Sequence, residues 1–438
     1  MIALREYQTT FLQDVSAKWA KGARRVCGVL PTGAGKTVVG AEGARRVAER
    51  GRRGLWLAHR EELVEQAAKT LEEVAGMRVG VLAASSDRSL DLDAPIIVAS
   101  IQTILARGFY PEASLIFADE CHHFGDTAEE WTSILTDHYP NTRVLGLTAT
   151  PERGDGTGLA PIFDALVVGA TVADLVVLNK QDPTQGLVWC DVDRPGRMLK
   201  SGELAQPPVD HWLKVAENRQ TIAFARNVAK AEELAAEFNA RGVPARCVHA
   251  KTSKDDRSFA LEAFRNGLIK VLTCVYVLTE GTDLPMAEVC LLARGAGSQT
   301  IFMQMVGRVL RPSPTTGKRD ALLIDLQGVS HLHRMPEDPR IFSLTGKAIT
   351  VTTTIACPVC GALRDSGEAC AACGWTPADG DRAGAPERIT LDPMVRFARI
   401  REKSAAQLHE MLVRWIRAEM LKGHKPTTVF HKWLPVVG

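Results

Sequence analysis

Twice along this chain, short and almost wholly apolar runs alternate with amphipathic stretches, and few patterns restrict a fold more. The first train is RVCGVL, GLWLAH, PIIVAS, SLIFAD and RVLGLTA, between residues 25 and 150; the second is TIAFA, RCVHA, KVLTCV, EVCLLA and ALLIDL. A strand apolar on both sides has to be covered on both sides, and the segments between these strands (61–74, 229–241 and 257–266 among them) have helical spacing. The expectation is an α/β chain with two parallel-sheet lobes in tandem, residues 1–168 and 211–345. A less regular connection rich in Gly and Pro spans 169–210. Past residue 346 the rhythm stops. A cysteine island follows at 355–376, then a polar Pro/Gly stretch, then a basic helical tail at 394–438.

Length and composition fit that outline. The 438 residues suffice for two ordinary domains and a small third piece, and 45% hydrophobic with 24% charged residues belongs to a folded chain. A net charge of +2 means that any nucleic-acid surface is a local patch, not a global field. The N-terminus, MIALREYQTTF, carries charges where a signal peptide has its apolar core, and no apolar run reaches spanning length. An intracellular, cytoplasmic protein without a membrane partner is expected. Six of the ten cysteines (Cys27, Cys121, Cys190, Cys247, Cys274 and Cys290) are scattered, several in apolar runs, and are expected to be buried and reduced.

LPTGAGKT, residues 30–37, follows the first strand and opens a helix, the context a phosphate loop requires. Gly33 and Gly35 permit the tight turn whose N–H groups face phosphates. Lys36 can reach the β- and γ-phosphates, and the Thr37 hydroxyl can bind Mg²⁺. Leu30 stands where the strict pattern has glycine. Asp119-Glu120-Cys121-His122 ends the strand LIFA, where uncompensated carboxylates are costly. Asp119 there is suited to hold Mg²⁺ and Glu120 to polarise an attacking water. Gln8 can read an adenine edge, since an amide both donates and accepts; taken alone it reads first as a surface residue. LTATP, 147–151, adds two small hydroxyl residues after a third strand, and alone it is a turn.

The second lobe contributes QMVGRVLRP, 304–312, read as a helix with Arg308 and Arg311 on one face. Gly307 lets that face approach another surface closely. Either the pair is a solvated basic stripe, or it reaches a nucleotide held by the first lobe. Arginine fingers of that kind are worth roughly 10³–10⁵ in rate. Asp283, in TEGTDLP, is placed to touch ribose or the phosphate water.

Together and in order, LREYQ, PTGAGKT, LAHREELVEQ, ASIQT, DECH, LTATP, TEGTDLP and QMVGRVLRP resemble the motifs of superfamily 2 helicases of the DEAD/DEAH-box kind, closest to the XPB- and RadD-like DNA repair group. The resemblance covers residues 1 to about 330. It implies two RecA-like lobes, ATP in the cleft between them and a nucleic-acid strand across both. It implies nucleotide contacts from Arg5, Gln8, Pro31, Thr32, Gly33, Ala34, Gly35, Lys36, Thr37 and Asp283. Lys36, Thr37, Asp119, Glu120, Gln304, Arg308 and Arg311 become the hydrolytic set, and Thr148 and Thr150 the coupling to strand movement. Arg60, Gln102, Thr103, Thr252 and Thr279 become contacts to the strand backbone. The implied activity is nucleic-acid-stimulated ATP hydrolysis driving movement on single-stranded or branched DNA, in repair, recombination or replication. An RNA helicase shares every motif, and an ATP-switched clamp that binds without unwinding shares most of them. No separate strand-splitting insertion is evident.

Cys357, Cys360, Cys370 and Cys373 form two Cys-x₂-Cys pairs nine residues apart. Such pairs make a closed tetrahedral site suited to structural Zn²⁺, with iron or a disulfide pair as the alternatives. Residues 381–438 hold eleven Lys/Arg against six Asp/Glu. A stripe at Leu408, Met411, Leu412, Trp415 and Ile416 has the spacing of one helix face. Lys425, His431, Lys432 and Trp433 fit a nucleic-acid contact as well as they fit a helical cap.

Overall fold

The structure is a computed structural model, describing residues 4–59, 61–84, 90–125, 132–153, 157–195, 203–279, 282–345, 354–356 and 363–365. The first lobe is a seven-stranded sheet: β1 (Arg25–Val29), β2 (Gly54–Ala58), β3 (Val79–Leu82), β4 (Ile96–Ser100), β5 (Leu115–Asp119), β6 (Arg143–Thr148) and β7 (Ala165–Val168). Their order is β3-β4-β2-β5-β6-β1-β7, and every neighbouring pair is parallel. The second is a six-stranded sheet of β8 (Trp189–Asp193), β9 (Thr221–Ala225), β10 (Ala245–Val248), β11 (Val271–Cys274), β12 (Val289–Ala293) and β13 (Asp320–Asp325). It is ordered β10-β11-β9-β12-β13-β8 and is again parallel throughout. Parallel pairing forces each connection back across a face of the sheet, so the helices cover both faces and the strand interiors are dry.

Two features bring the nucleotide-loop helix close to its sheet. Helix α1 (Glu6–Ala20) buries Phe11, Leu12 and Val15. Helix α2 (Lys36–Ala48) lays Gly40 and Gly43 on the stacked rings of Trp56 and Phe117, whose centroids are 5.4 Å apart. A Cβ on Gly40 would lie 2.4 Å from Trp56, and one on Gly43 2.9 Å from Phe117, so only glycine fits.

The connecting segment 169–210, expected to be less regular than the lobes, carries regular elements of its own. Helix α5 (Val172–Gln181) occupies its start, and β8 joins the second sheet beside β13. (Helices α3 and α4 are Glu61–Ala75 and Ile101–Arg107.) Between them Gly186 turns at φ 75°, and Leu187 is fully buried. At the far end, Ala160 N donates to Leu344 O at 2.7 Å and Phe342 and Leu344 pack on the first lobe's core, so the second lobe's tail returns to the first. The remaining helices of the second lobe are α6 (Pro208–Val215), α7 (Val228–Ala240), α8 (Lys254–Arg265), α9 (Gln299–Gly307) and α10 (Val329–His333).

The six scattered cysteines are free thiols, five of them buried and Cys247 partly so. Among the described residues no helix is long and apolar enough to cross a membrane. The four paired cysteines and the basic tail lie outside the described residues, as does Arg60.

Candidate active site between the two lobes

The first lobe's motifs leave the sheet side by side because β5, β6 and β1 are neighbours. Val29 is level with Thr148, and Asp119 with Leu147. At that edge Gly33 (φ 87°) and Gly35 (φ 80°) take left-handed conformations, and Gly35 caps the N-terminus of α2. The loop is roofed closely: a Cβ on Gly33 would meet Leu187 at 2.9 Å and Arg311 Cγ at 3.1 Å, and one on Gly35 would meet Gln8 Nε2 at 2.6 Å.

Lys36, 9% exposed, places Nζ 3.5 Å from Glu120 Oε1. Glu120 itself sits at φ 45°, a left-handed conformation that costs a non-glycine residue about 1–3 kcal/mol. Its N–H donates to Asp119 Oδ1 at 3.0 Å. The tight turn after β5 therefore aims both carboxylates at one place, beside the amine of the phosphate loop.

His122 links this cluster to both lobes. Its Nδ1 lies 3.0 Å from Thr148 Oγ1 and 3.4 Å from Glu120 Oε2, and its Nε2 lies 3.0 Å from Gln304 Nε2. The hydroxyl proton of Thr148 is committed to Thr150 O at 2.7 Å, so Thr148 accepts from His122 Nδ1–H. Nε2 is then the acceptor for the Gln304 amide, which fixes a neutral tautomer. The ring also lies tilted against His123, centroids 4.2 Å apart, and His123 lies tilted against His59 at 3.9 Å.

The lobes also touch beside this cluster. Thr150 Oγ1 donates to Thr300 Oγ1 at 2.9 Å, and a Cβ on Gly307 would fall 2.7 Å from Thr32 Cβ. The close approach expected of Gly307 is made onto the phosphate loop. The arginine reading needs correction in one respect: α9 stops at Gly307, and Arg308 and Arg311 lie beyond it and not on a helix face. A turn brings them together instead. Arg308 Nη1 and Arg311 Nη1 both donate to Thr282 O, at 2.8 and 3.1 Å, and Arg311 also pairs with Asp283. Arg308 is buried, while Arg311 lies over Gly33.

Gln8 is buried on the phosphate loop with both ends of its amide engaged, accepting from Arg5 N at 3.0 Å and donating to Ala34 O at 3.1 Å. Arg5 reaches across to Thr184 O at 3.0 Å. Of the candidate strand contacts described, Gln102 and Thr103 lie in the first turn of α4, just after β4, and Thr252 and Thr279 lie in the segments that follow β10 and β11. Gln102 bridges Ser100 Oγ and His59 O, and buried Thr103 gives its N–H to the same Ser100, which caps α4. Thr252 accepts from His249 N and Thr279 donates to Tyr276 O, each shaping its own turn. His59, His122, His123 and Thr300 were not read as site residues. The pair His122-His123 was visible behind Asp119-Glu120, but which neighbours the rings meet depends on packing.

Residues 1–153 match the family model described as the type III restriction enzyme res subunit, and residues 207–313 match the helicase conserved C-terminal domain. The helicase IRC3 of Saccharomyces cerevisiae is 27% identical, over 70% of this chain and 49% of its own length. The DNA 3'-5' translocase XPB2 of Sulfurisphaera tokodaii is also 27% identical, over 74% of this chain and 81% of its own. The chain belongs to the superfamily 2 helicases. By their names, IRC3 is an ATP-dependent helicase and XPB2 a translocase on DNA. A fragment of an HsdR subunit of a type I restriction enzyme from Vibrio vulnificus YJ016 has the same fold, with TM-score 0.58 and 20% identity over 80% of this chain and 71% of that one. The chain spans 49% to 66% of the length of the first curated relatives it matches.

Proposed function

We propose that this superfamily 2 helicase is a DNA-stimulated ATPase that translocates on or unwinds DNA in repair, recombination or replication. One observation carries the reading. His122 joins Lys36 and Glu120 of the first lobe to Gln304 of the second through contacts of 3.0 to 3.5 Å, so hydrolytic groups from both lobes share one cluster. Lys36 binds phosphate where it now meets Glu120, and Glu120 orients the attacking water. Arg311, above Gly33, neutralises charge developing on the leaving phosphate. Thr37 and Asp119 would hold Mg²⁺, which when bound would neutralise charge on the phosphates.

The test is strand displacement on a forked duplex, with ATPase rates compared on single-stranded DNA, duplex, fork and RNA. Lys36→Ala and Glu120→Gln are expected to abolish displacement and to lower hydrolysis by about 10²-fold or more. ATP-dependent binding with neither displacement nor movement marks a clamp instead, and stimulation by RNA alone ends the DNA assignment.

Residues 355–376 are proposed to bind structural Zn²⁺ through Cys357, Cys360, Cys370 and Cys373. Support comes from β14 (Thr354–Ala356) and β15 (Leu363–Asp365), which pair antiparallel with Ala356 opposite Leu363 and so bracket the first Cys-x₂-Cys. Metal analysis of the purified protein decides it: substoichiometric zinc, or full occupancy after Cys357→Ser with Cys370→Ser, counts against the site.

A further inference from the structure

The second sheet changes direction at β9, which has β11 on one side and β12 on the other. In an open parallel sheet the crevice at such a switch point, beyond the carboxyl ends of the strands, is where ligands bind. Three side chains outside the motifs stand there. Arg226 directly follows β9, Tyr276 lies two residues beyond β11, and Arg294 directly follows β12.

Their packing is specific. The Arg294 guanidinium lies 4.0 Å from the centroid of the Tyr276 ring and hydrogen-bonds its hydroxyl. Its other nitrogens donate to Gly295 O at 2.9 Å and Val275 O at 3.3 Å, so the cation is fixed by the backbone on both sides. The ring is held in place yet remains 43% exposed. The Tyr276 carbonyl accepts from both the N–H and the hydroxyl of Thr279, at 3.0 and 2.6 Å, so the ring and Thr279 belong to one rigid turn. Arg226 is exposed and makes no ion pair among the described residues.

We propose that Tyr276, backed by Arg294, is a base-stacking platform for the single DNA strand, with Arg226 and Arg294 meeting the adjoining phosphates. This rests on the function proposed above and adds what the motifs do not supply, an aromatic surface on the strand's path. A π-face accepts any base, so the contact is indifferent to sequence, and the guanidinium beneath draws charge from the ring while serving the backbone. A plain structural role for the pair is the competing account, and it requires no response to DNA.

The experiment titrates the full chain with an oligothymidylate, reading ATP hydrolysis. Stacking one base is worth about 5- to 150-fold in affinity. Tyr276→Ala is therefore expected to raise the oligonucleotide concentration for half-maximal stimulation by that factor, with the rate without DNA and the maximal rate preserved. Tyr276→Phe keeps the ring and stays within about twofold of wild type, whereas Tyr276→Trp adds a fluorophore whose emission is quenched by the oligonucleotide beyond the wild-type change. A stimulated wild type whose Tyr276→Ala titration is unchanged, or a Tyr276→Trp signal blind to saturating oligonucleotide, overturns the platform alone. A wild type that neither binds nor responds to any nucleic acid overturns the proposed function, and the platform with it.

Discussion

Replacing Gly307 by alanine sets helix propensity against the fit between the lobes. Alanine is favoured over glycine within a helix by about 1 kcal/mol, so the helix alone gains from the change. The new Cβ, however, would lie 2.7, 3.0 and 3.2 Å from Cβ, Cγ2 and Oγ1 of Thr32. Carbon atoms rest at about 3.5–4.0 Å, so α9 or the phosphate loop must retreat by close to 1 Å. Overpacking of this kind costs about 1–3 kcal/mol, and the least costly relief is to part the lobes. At tenfold per 1.4 kcal/mol, the closed arrangement becomes about 5- to 150-fold rarer, and kcat/KM for DNA-stimulated hydrolysis falls with it. The thermal midpoint stays level or rises. Thr32→Gly removes the opposing Cβ. In that background Gly307→Ala is expected to cost less than about threefold, a coupling that a double-mutant cycle isolates. Wild-type kcat/KM in Gly307→Ala, or the same loss in both backgrounds, refutes the steric account.

Thr300→Val leaves the Thr150 hydroxyl buried without its acceptor, a cost of about 1–3 kcal/mol that appears only when the lobes meet; stimulated hydrolysis should drop while unfolding by urea barely changes. Gly186→Ala forces a left-handed φ of 75° on a side chain whose Cβ would lie 2.0 Å from Leu175 O; the midpoint should fall, and hydrolysis with it, because Leu187 beside Gly33 is displaced. Lys318 donates to Pro285 O and Ala287 O, and burial pushes its pKa down to about 7. Between pH 7 and about 10.5 the unfolded chain keeps a proton there that the folded chain has released, so stability from this group rises with pH across that window and is at its lowest below it. The urea midpoint of wild type should therefore climb from pH 7 to 9.5 more steeply than that of Lys318→Met, and parallel curves would dispose of the idea.

The strands missed in the sequence have one thing in common. β3 and β7 are the two edges of the first sheet, and β8 is an edge of the second. Searching for runs apolar on both faces finds central strands such as β2 and β5, where every residue is buried. An edge strand is half covered, and β8 shows it, with Trp189 and Asp191 exposed around buried Cys190. The glycine turn at Gly33 and Gly35, the carboxylates that end β5 and the close approach at Gly307 were legible because each is a local requirement of backbone or charge. The His122 contacts and the turn that joins Arg308 to Thr282 were not, since both depend on residues more than twenty positions away meeting in space. The Tyr276–Arg294 pair was hidden for the same reason, eighteen residues apart and on neighbouring strand ends.

The ion pair of Lys36 with Glu120 bears on how such a cleft exchanges ligands under the proposed function. Both groups are largely buried, 9% and 14% exposed, so desolvation offsets much of their attraction and the pair adds little net stability. It still satisfies each charge while no phosphate is bound, which a solitary buried lysine or carboxylate could not tolerate. A phosphate that takes Lys36 therefore replaces a contact of small net worth and removes that amine from Glu120 Oε1. The other oxygen, Oε2, already faces His122 Nδ1, whose ring accepts from Gln304. A shift of the carboxylate toward a water would remove a charge 3.4 Å from Nδ1 and so alter the polarity of the ring that accepts from Gln304, while the Nδ1 proton stays donated to Thr148. The strained φ of Glu120 sharpens this response, because a residue kept in an unfavourable conformation by its contacts moves when one of them is exchanged.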